Sequence, residues 1–421
     1  MKYYRFPDMK LFRIAFFLFL LAIQMLTRSA IVSTAFLGFY PSQFLTIGLI
    51  GLAGMAFLFV NRKHIREILT DSRMIAVAGI IVLLAVSMLL KRDYQAVYFS
   101  IMMYLLFAVF LSYFLPLQAA AAYYVALMTL IGVWTILGMF VLKPMVEAGW
   151  ISGHPFMGVN GWFLYNFGLT FTSFLNNAKE ETVRAFGIFR EPGLFQVFLF
   201  TAIQLNNYTV RWKKQWQMWA VNAVLFATLL LTFATGGVLA LGLYIVFLFF
   251  DKGLYRNKRI CIFAVLLVIL LAAVLGVLIA KNGTWATELI WMVQKIFAKA
   301  DSYTDRVGSI LADARIFLEH PLTGEDIQTV MYAVPNNTAS SPILFAVFGI
   351  VGGCLHVASW VALAWKKERS ILMNLILLVI LFIPFNTQNV VHDLFFWTFP
   401  VMALVEKGLP VLLKMVNKRK V

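Results

Sequence analysis

Charged residues are scarce in this chain. Asp, Glu, Lys and Arg make up 13% of its 421 residues, about half the share in a typical soluble domain. Hydrophobic residues make up 62%, and the mean hydropathy is +0.85. This composition excludes an ordinary soluble protein and indicates an integral membrane protein. Because the apolar stretches are continuous rather than alternating, the sequence predicts an all-α, polytopic membrane helical bundle and not a barrel.

Cysteine is rare, and acidic motifs typical of metal-dependent glycosyl transfer are absent. The two cysteines, Cys261 and Cys354, both fall in apolar stretches, where they are expected to pack as small apolar side chains. No Asp-x-Asp sequence occurs, and the segment from Arg28 to Pro41 contains no carboxylate. Membrane glycosyltransferases that carry acidic residues in that loop therefore fit poorly. We expect no metal ion and no other cofactor.

Twelve apolar runs approach the roughly 20 residues that a helix needs to cross a bilayer. In chain order they cover residues 11–27, 41–60, 74–90, 95–115, 118–142, 192–210, 217–233, 236–250, 260–280, 342–364, 371–385 and 393–409. The pattern predicts one membrane domain over residues 1–421 with about twelve transmembrane helices.

The distribution of charge predicts the orientation of these helices. If both termini are cytoplasmic, most of the 35 Lys and Arg residues fall in the inside segments, and most of the 19 acidic residues fall outside. Short cytoplasmic loops are enriched in basic residues in just this way. The net charge of +16 is therefore a topology signal, and nucleic acid is not an expected partner.

Two segments are long enough to form sizeable external loops. The first, residues 143–191, contains His154 and Arg184 and ends with Arg190 and Glu191 before a proline. Since proline is tolerated at the first position of a helix, these last two residues are expected at the outer mouth of the sixth span. They either form part of a site or have a structural role, as a snorkelling arginine and a helix-terminal carboxylate.

The second segment, residues 281–341, precedes the tenth apolar run and forms the predicted large external loop. Apolar residues at helical spacing predict an interfacial helix around residues 285–299. A second amphipathic helix is predicted over Asp305–Glu319, with Arg306 and Asp313 on its polar face.

Polar residues surround the end of this second helix. His320 precedes a proline and therefore ends the helix, where it either caps the helix or contributes to a site. The sequence His-Pro-x-x-Gly occurs here and again at His154. Asn336 and Asn337 then lead into the tenth apolar run, where Gly349 and its neighbouring glycines allow close packing.

Four stretches carry a resemblance to a known family. They are Gly187-Ile-Phe-Arg-Glu-Pro-Gly193, the hairpin Thr232–Gly237, Asp305-Arg-Val-Gly-Ser-Ile through Gly324, and Asn336-Asn-Thr through Gly352. In their order they resemble the bacterial O-antigen polymerase and O-antigen ligase family, the Wzy-like and WaaL-like membrane glycosyltransferases. The resemblance covers about the C-terminal half of the chain. Ligases commonly have His-Asn where this chain has Asn-Asn, so the polymerase branch is favoured.

The resemblance implies an enzyme that joins oligosaccharide repeat units carried on undecaprenyl pyrophosphate. Such enzymes act at the outer face of the bacterial plasma membrane, without a metal, and are expected to invert the anomeric centre. The implied partners are the lipid-linked glycan donor and acceptor, membrane lipids, a chain-length regulator and a flippase. The product would be an O-antigen, a capsule or an exopolysaccharide.

The chemistry of this reaction favours particular residue types. A pyrophosphate leaving group gains negative charge as the glycosidic bond breaks, and guanidinium groups bind phosphate oxygens without losing their own charge. The candidate arginines are Arg190 and Arg306, with Arg184 and Arg315 as further substrate contacts. The candidate general bases are Glu191, Asp313 and His320, which the sequence does not rank. The remaining expected substrate contacts are His154, Asn336 and Asn337.

Two other classes of protein fit the same composition. A flippase for lipid-linked oligosaccharides also has about twelve spans, but transporters usually place ionisable groups near the middle of the membrane. Here the ionisable groups gather at the predicted outer rim, which favours an enzyme. An interaction subunit of a polysaccharide assembly complex would leave Arg190 and Arg306 without a catalytic task.

Overall fold

The structure is a computed structural model that describes residues 10–29, 39–60, 62–153, 155–157, 163–173, 183–259, 261–262, 266, 301–333 and 337–410. Most of these residues are helical. In chain order the helices are α1 (Lys10–Thr27), α2 (Phe39–Val60), α3 (Ile65–Leu69), α4 (Ser72–Lys91), α5 (Ala96–Phe114), α6 (Leu117–Leu137), α7 (Lys143–Glu147), α8 (Pro192–Tyr208), α9 (Gln215–Leu231), α10 (Thr235–Asp251), α11 (Asp301–Glu319), α12 (Ile327–Ala333), α13 (Ser340–Ala364), α14 (Ile371–Phe385) and α15 (Leu394–Ala403).

The helices confirm the class of membrane protein that the composition predicts. Within the described residues, five helical segments are long and apolar enough to cross a bilayer: α1, α4, α5, the continuous segment from α6 to α7, and α13. A sixth is added if Phe44–Phe59 and Arg62–Leu69, bent by 80°, form one span. Helices α9, α10 and α14 are apolar but shorter. The predicted run at 260–280 lies almost wholly outside the described residues, and the count of twelve spans stays a prediction.

The segment between α7 and α8, predicted as the first external loop, contains a small sheet, which the expectation of an all-α protein missed. Strands β1 (Pro155–Met157), β2 (Phe163–Asn166), β3 (Phe171–Ser173) and β4 (Ala185–Gly187) pair antiparallel in that order. Each strand has only three or four residues, too few for an alternating pattern to stand out in the sequence. Strand β4 is buried against the helices and leads directly into α8.

The last helix lies at the centre of the bundle. Every residue of α15 is buried, and its main neighbours are α5 and α13. The ring of Phe395 lies 3.8 Å from that of Phe198 in α8 and 6.3 Å from that of Tyr124 in α6. A helix that is apolar on all sides is expected in such a position.

Helix α11 buries two polar side chains against the protein and exposes two leucines. Ser309 and Asp313 are 2% and 0% exposed, whereas Leu311 and Leu318 are 65% and 76% exposed. The buried side packs mainly on α13. The outward face is mixed, because it also carries the exposed ion pair of Arg315 with Glu319.

Helix α13 doubles back on itself at Gly349. Its backbone there has φ 59° and ψ −155°, a conformation outside the helical region. Ser341 Oγ lies 3.1 Å from His356 Nε2, although fifteen residues of straight helix would separate them by about 22 Å. The tenth predicted span is therefore a helical hairpin with a short first arm, residues 340–348, and a longer second arm, residues 350–364.

The segment after α11 closes over the tip of this hairpin. The backbone N–H of Ile350 donates to the carbonyl of Pro321, and the N–H of Glu325 donates to the carbonyl of Ala346, both at 2.8 Å. A Cβ at Gly349 would lie 2.4 Å from the carbonyl oxygen of Leu322. The segment after α11 thus supplies hydrogen bonds to the backbone beside the break, which non-helical backbone within a membrane protein requires.

Candidate functional site

Three segments meet at one end of the bundle. The end of α1 forms an antiparallel bridge between Ser29 and Phe189, just before α8. The backbone N–H of Arg190 donates to the carbonyl of Arg28 at 2.9 Å. The loop of residues 386–393, which joins α14 to α15, completes the assembly through Asp393.

A buried ion pair holds two of these segments together. Arg28 Nε and Nη2 donate to the two carboxylate oxygens of Asp393 at 2.7 and 3.1 Å. The two side chains are 3% and 0% exposed. Gln24 Nε2 also donates to Asp393, at 3.0 Å. A bidentate pair with a further hydrogen-bond donor fixes the geometry of both segments.

Arg190 and Glu191 lie beside this ion pair and retain access to solvent. Their side chains are 27% and 24% exposed, and Arg190 Nε is 3.6 Å from Glu191 Oε1. Burial, followed by the positive charge of Arg28, lowers the pKa of Arg190, while Glu191 and Asp393 oppose the shift. Two guanidinium groups are therefore close together, and that of Arg28 is held by its bidentate pair with Asp393.

The 386–393 loop is a part of the candidate site that the sequence reasoning missed. Ser340 Oγ donates to the carbonyl of Gln388 at 2.6 Å and accepts from the N–H of Val390 at 2.8 Å. A Cβ at Gly193 would lie 2.3 Å from Gln388 Nε2, so the start of α8 must pack closely on the loop. Burial, followed by the charge of Arg28, lowers the pKa of His392 to about 3 and keeps it neutral.

A sequence signal for this loop exists. Its residues, Asn-Thr-Gln-Asn-Val-Val-His-Asp, are mainly polar and stand between two apolar runs. Gln196 Nε2 in α8 donates to Thr387 Oγ1 at 2.9 Å, and Gly236 at the start of α10 packs on the same threonine. The stretches at 187–193 and 232–237 therefore both lie against one loop.

Asp313 and Asn337, both predicted as site residues, contact each other. Asn337 Nδ2 donates to both carboxylate oxygens of Asp313, at 2.8 and 2.9 Å. Burial raises the pKa of Asp313 to about 6, and the hydrogen bonds from Asn337 oppose the shift. Ala339 donates its N–H to Asn337 Oδ1 at 3.1 Å, so this pair fixes the start of α13 beside the 386–393 loop.

The other predicted side chains lie in different settings. His320 is half exposed, and its Nε2 is 3.0 Å from Glu325 Oε2. Arg184 donates to the carbonyls of Thr232 and Phe233 at 3.0 and 2.9 Å and so supports the hairpin before α10. Arg315 is 83% exposed, with its Nε 3.2 Å from Glu319 Oε1 in the same helix.

For three of the predicted site residues the structure describes no side chain. His154 and Asn336 lie outside the described residues, and of Arg306 only the backbone is described. The expectation that the Arg190 and Arg306 side chains lie close together therefore stays a prediction. The partner that the structure does place beside Arg190 is Arg28, which the sequence reasoning did not select.

The described residues contain no group of three or more His, Cys, Asp or Glu side chains able to hold a metal ion. The groups that converge at the site are guanidinium, carboxylate and amide side chains. They suit the binding of an anionic and hydroxyl-rich ligand. Comparison of the chain with known proteins finds no matching family model, no similar curated protein and no similar solved structure.

Proposed function

We propose that this protein polymerises oligosaccharide repeat units carried on undecaprenyl pyrophosphate, as a metal-independent membrane glycosyltransferase. The observation that carries the proposal is the placement of Arg190. Its guanidinium is partly exposed beside Glu191, and its backbone is bonded to Arg28, which is itself locked to Asp393. A cation held rigidly at one end of an apolar bundle suits the diphosphate of a lipid-linked sugar.

The proposed reaction is a direct displacement at the anomeric carbon. A hydroxyl of the acceptor sugar attacks, the bond to the pyrophosphate oxygen breaks, and polyprenyl pyrophosphate leaves with the bonding electrons. Arg190 binds the phosphate oxygens and stabilises the charge that develops on them. Glu191, the accessible carboxylate beside Arg190, accepts the proton of the attacking hydroxyl.

Asp313 is not the general base in this proposal. Its side chain is fully buried and accepts two hydrogen bonds from Asn337. We assign it a positioning task, since it fixes the first arm of α13 against the 386–393 loop. His320 lies at the hairpin tip and pairs with Glu325, so it is a less direct candidate for the base.

The proposal includes the cellular setting that the family resemblance implies. The site faces the outside of the bacterial plasma membrane, both termini are cytoplasmic, and about twelve helices span the bilayer. Because the site acts on lipid-linked donor and acceptor glycans, a flippase would supply both. A chain-length regulator would act on the growing polymer.

The Arg190 site can be tested with purified protein and a lipid-linked repeat unit. Arg190→Ala is expected to lower the polymerisation rate on the order of 100-fold or more, the usual cost of losing one preorganised charge-stabilising donor. Arg190→Lys is expected to recover part of the rate, since charge remains but bidentate geometry is lost. The matched control is Arg92→Ala, an exposed arginine at the end of α4. Equal rates in Arg190→Ala and Arg92→Ala would remove Arg190 from the site.

One observation favours a second candidate, a flippase for lipid-linked oligosaccharides. Transporters often build their binding sites from helices that are broken within the membrane, and α13 reverses at Gly349. A flippase would move a fluorescent lipid-linked glycan across a liposome bilayer without changing its length. The proposed polymerase would lengthen the glycan, so one product analysis separates the two. A ligase would instead transfer the glycan to a lipid A core acceptor.

A further inference from the structure

An apolar groove lies far from the candidate site, between α1, α2 and α5. Its cavity volume is about 110 Å³. Half of its twelve lining residues are phenylalanines, namely Phe12, Phe16, Phe57, Phe107, Phe110 and Phe114. Gly54 opens one side, since a Cβ built there would come no closer than 3.6 Å to its nearest neighbour, Phe110.

One charged residue, Arg13, lines this apolar groove. Its Nε atom is buried and has no hydrogen-bond partner among the described residues. Buried polar atoms in proteins are nearly always hydrogen-bonded, and a charged group in membrane surroundings is normally paired. This N–H therefore has no acceptor among the described residues, and a phosphate group matches the donor geometry of a guanidinium.

The groove and the arginine together identify the chemistry of one ligand. Hydrocarbon chains fill narrow apolar grooves on membrane proteins, and a headgroup phosphate stands at the end of such chains. The groove also lies near the end of α2 that leads into the basic turn Arg62–His64. We propose that this groove binds an anionic phospholipid, with one acyl chain among the phenylalanine rings and its phosphate on Arg13.

The proposal can be tested in bilayer nanodiscs with photoactivatable lipids. Phosphatidylglycerol and phosphatidylcholine, each with a diazirine in one acyl chain, are compared by cross-linking and peptide mapping. The cross-links are expected in residues 12–16, 53–57 and 107–114, with a yield about fivefold higher for phosphatidylglycerol, the effect of one basic residue on anionic lipid binding. Equal yields for the two lipids would overturn the proposal.

Matched substitutions separate the charge from the groove. Arg13→Gln is expected to reduce the phosphatidylglycerol yield to that of phosphatidylcholine, while Arg62→Gln, at an exposed neighbouring residue, leaves it within about twofold. Gly54→Leu is expected to fill the groove and lower both yields, and Gly48→Leu, whose Cβ meets open space, is the control. If Arg62→Gln acts as strongly as Arg13→Gln, the attraction is diffuse and the site is disproved.

A third lipid tests a different occupant. Photoactivatable undecaprenyl phosphate carries a longer, branched chain on a phosphate. If it labels the same peptides more strongly than phosphatidylglycerol does at equal content, the groove holds a polyprenyl chain and the phospholipid assignment is wrong. Weaker labelling supports the phospholipid.

Discussion

Ser341 and His356 belong to one continuous helical stretch, yet Ser341 Oγ lies 3.1 Å from His356 Nε2. This contact requires the chain to reverse between them, and Gly349 is the residue that makes the turn. The reversal returns the start of α13 to the 386–393 loop, where Ser340 Oγ donates to the carbonyl of Gln388. The geometry of the proposed site therefore depends on a turn inside an apparently uninterrupted apolar run.

The turn at Gly349 is expected to be intolerant of any side chain. Gly349→Ala places a Cβ 2.4 Å from the carbonyl oxygen of Leu322, at a φ that is nearly exclusive to glycine. We expect a loss of about 3 kcal/mol or more in the free energy of unfolding, measured by thermal unfolding in detergent. Gly242→Ala in α10, where the Cβ meets open space, serves as the control and should be neutral or slightly stabilising. Equal melting temperatures for the two variants would argue against the hairpin.

The ion pair between Arg28 and Asp393 is expected to behave as a coupled unit. Arg28→Ala leaves the carboxylate of Asp393 buried without its main partner, which typically costs about 3–5 kcal/mol. Asp393→Ala should have a similar effect, and the double variant should cost clearly less than the two single variants together. A double-mutant cycle on unfolding free energies measures this coupling, and strict additivity would contradict a direct pair.

Asp313 is expected to make stability depend on pH. Its folded-state pKa of about 6 lies above the ordinary value of 3.8, so the folded protein binds this proton more tightly than the unfolded chain does. The resulting stabilisation is complete below pH 3.8 and is lost as pH rises through 6, by on the order of 3 kcal/mol.

The variant Asp313→Asn should remove that loss. Thermal unfolding of wild type and variant between pH 4 and 7 is the measurement, within the range set by the two pKa values. Glu319→Gln, at an exposed carboxylate in the same helix, is the control and should leave the wild-type slope unchanged. If Asp313→Asn keeps that slope as well, another group is responsible.

Much of the helical framework follows from hydropathy. The predicted run at 371–385 coincides with α14. The run at 11–27 differs from α1 by one residue at its start, and the run at 95–115 differs from α5 by one residue at each end. Long apolar periodic segments carry this signal strongly. The amphipathic helix predicted over Asp305–Glu319 is observed as α11, which begins four residues earlier, at Asp301, and ends at Glu319 as expected.

Other features depend on contacts between distant segments, which no local pattern records. The apolar sequence runs unbroken through Gly349, so hydropathy does not show the reversal there. Arg28 looks like an ordinary residue at the end of a span until Asp393, far along the chain, is placed against it. By contrast, the sequence alone was enough to select Arg190 and Glu191 as candidate site residues, because they precede a proline that begins a helix.

The most direct test of the account is the reaction itself. Purified wild-type protein in liposomes would be given an undecaprenyl-pyrophosphate-linked repeat unit from the source organism, and the products sized by gel electrophoresis. The account predicts a ladder of lipid-linked glycans that grows by whole repeat units and persists in the presence of a metal chelator. Glycans that remain at one repeat unit, while crossing the bilayer or staying in place, would contradict it.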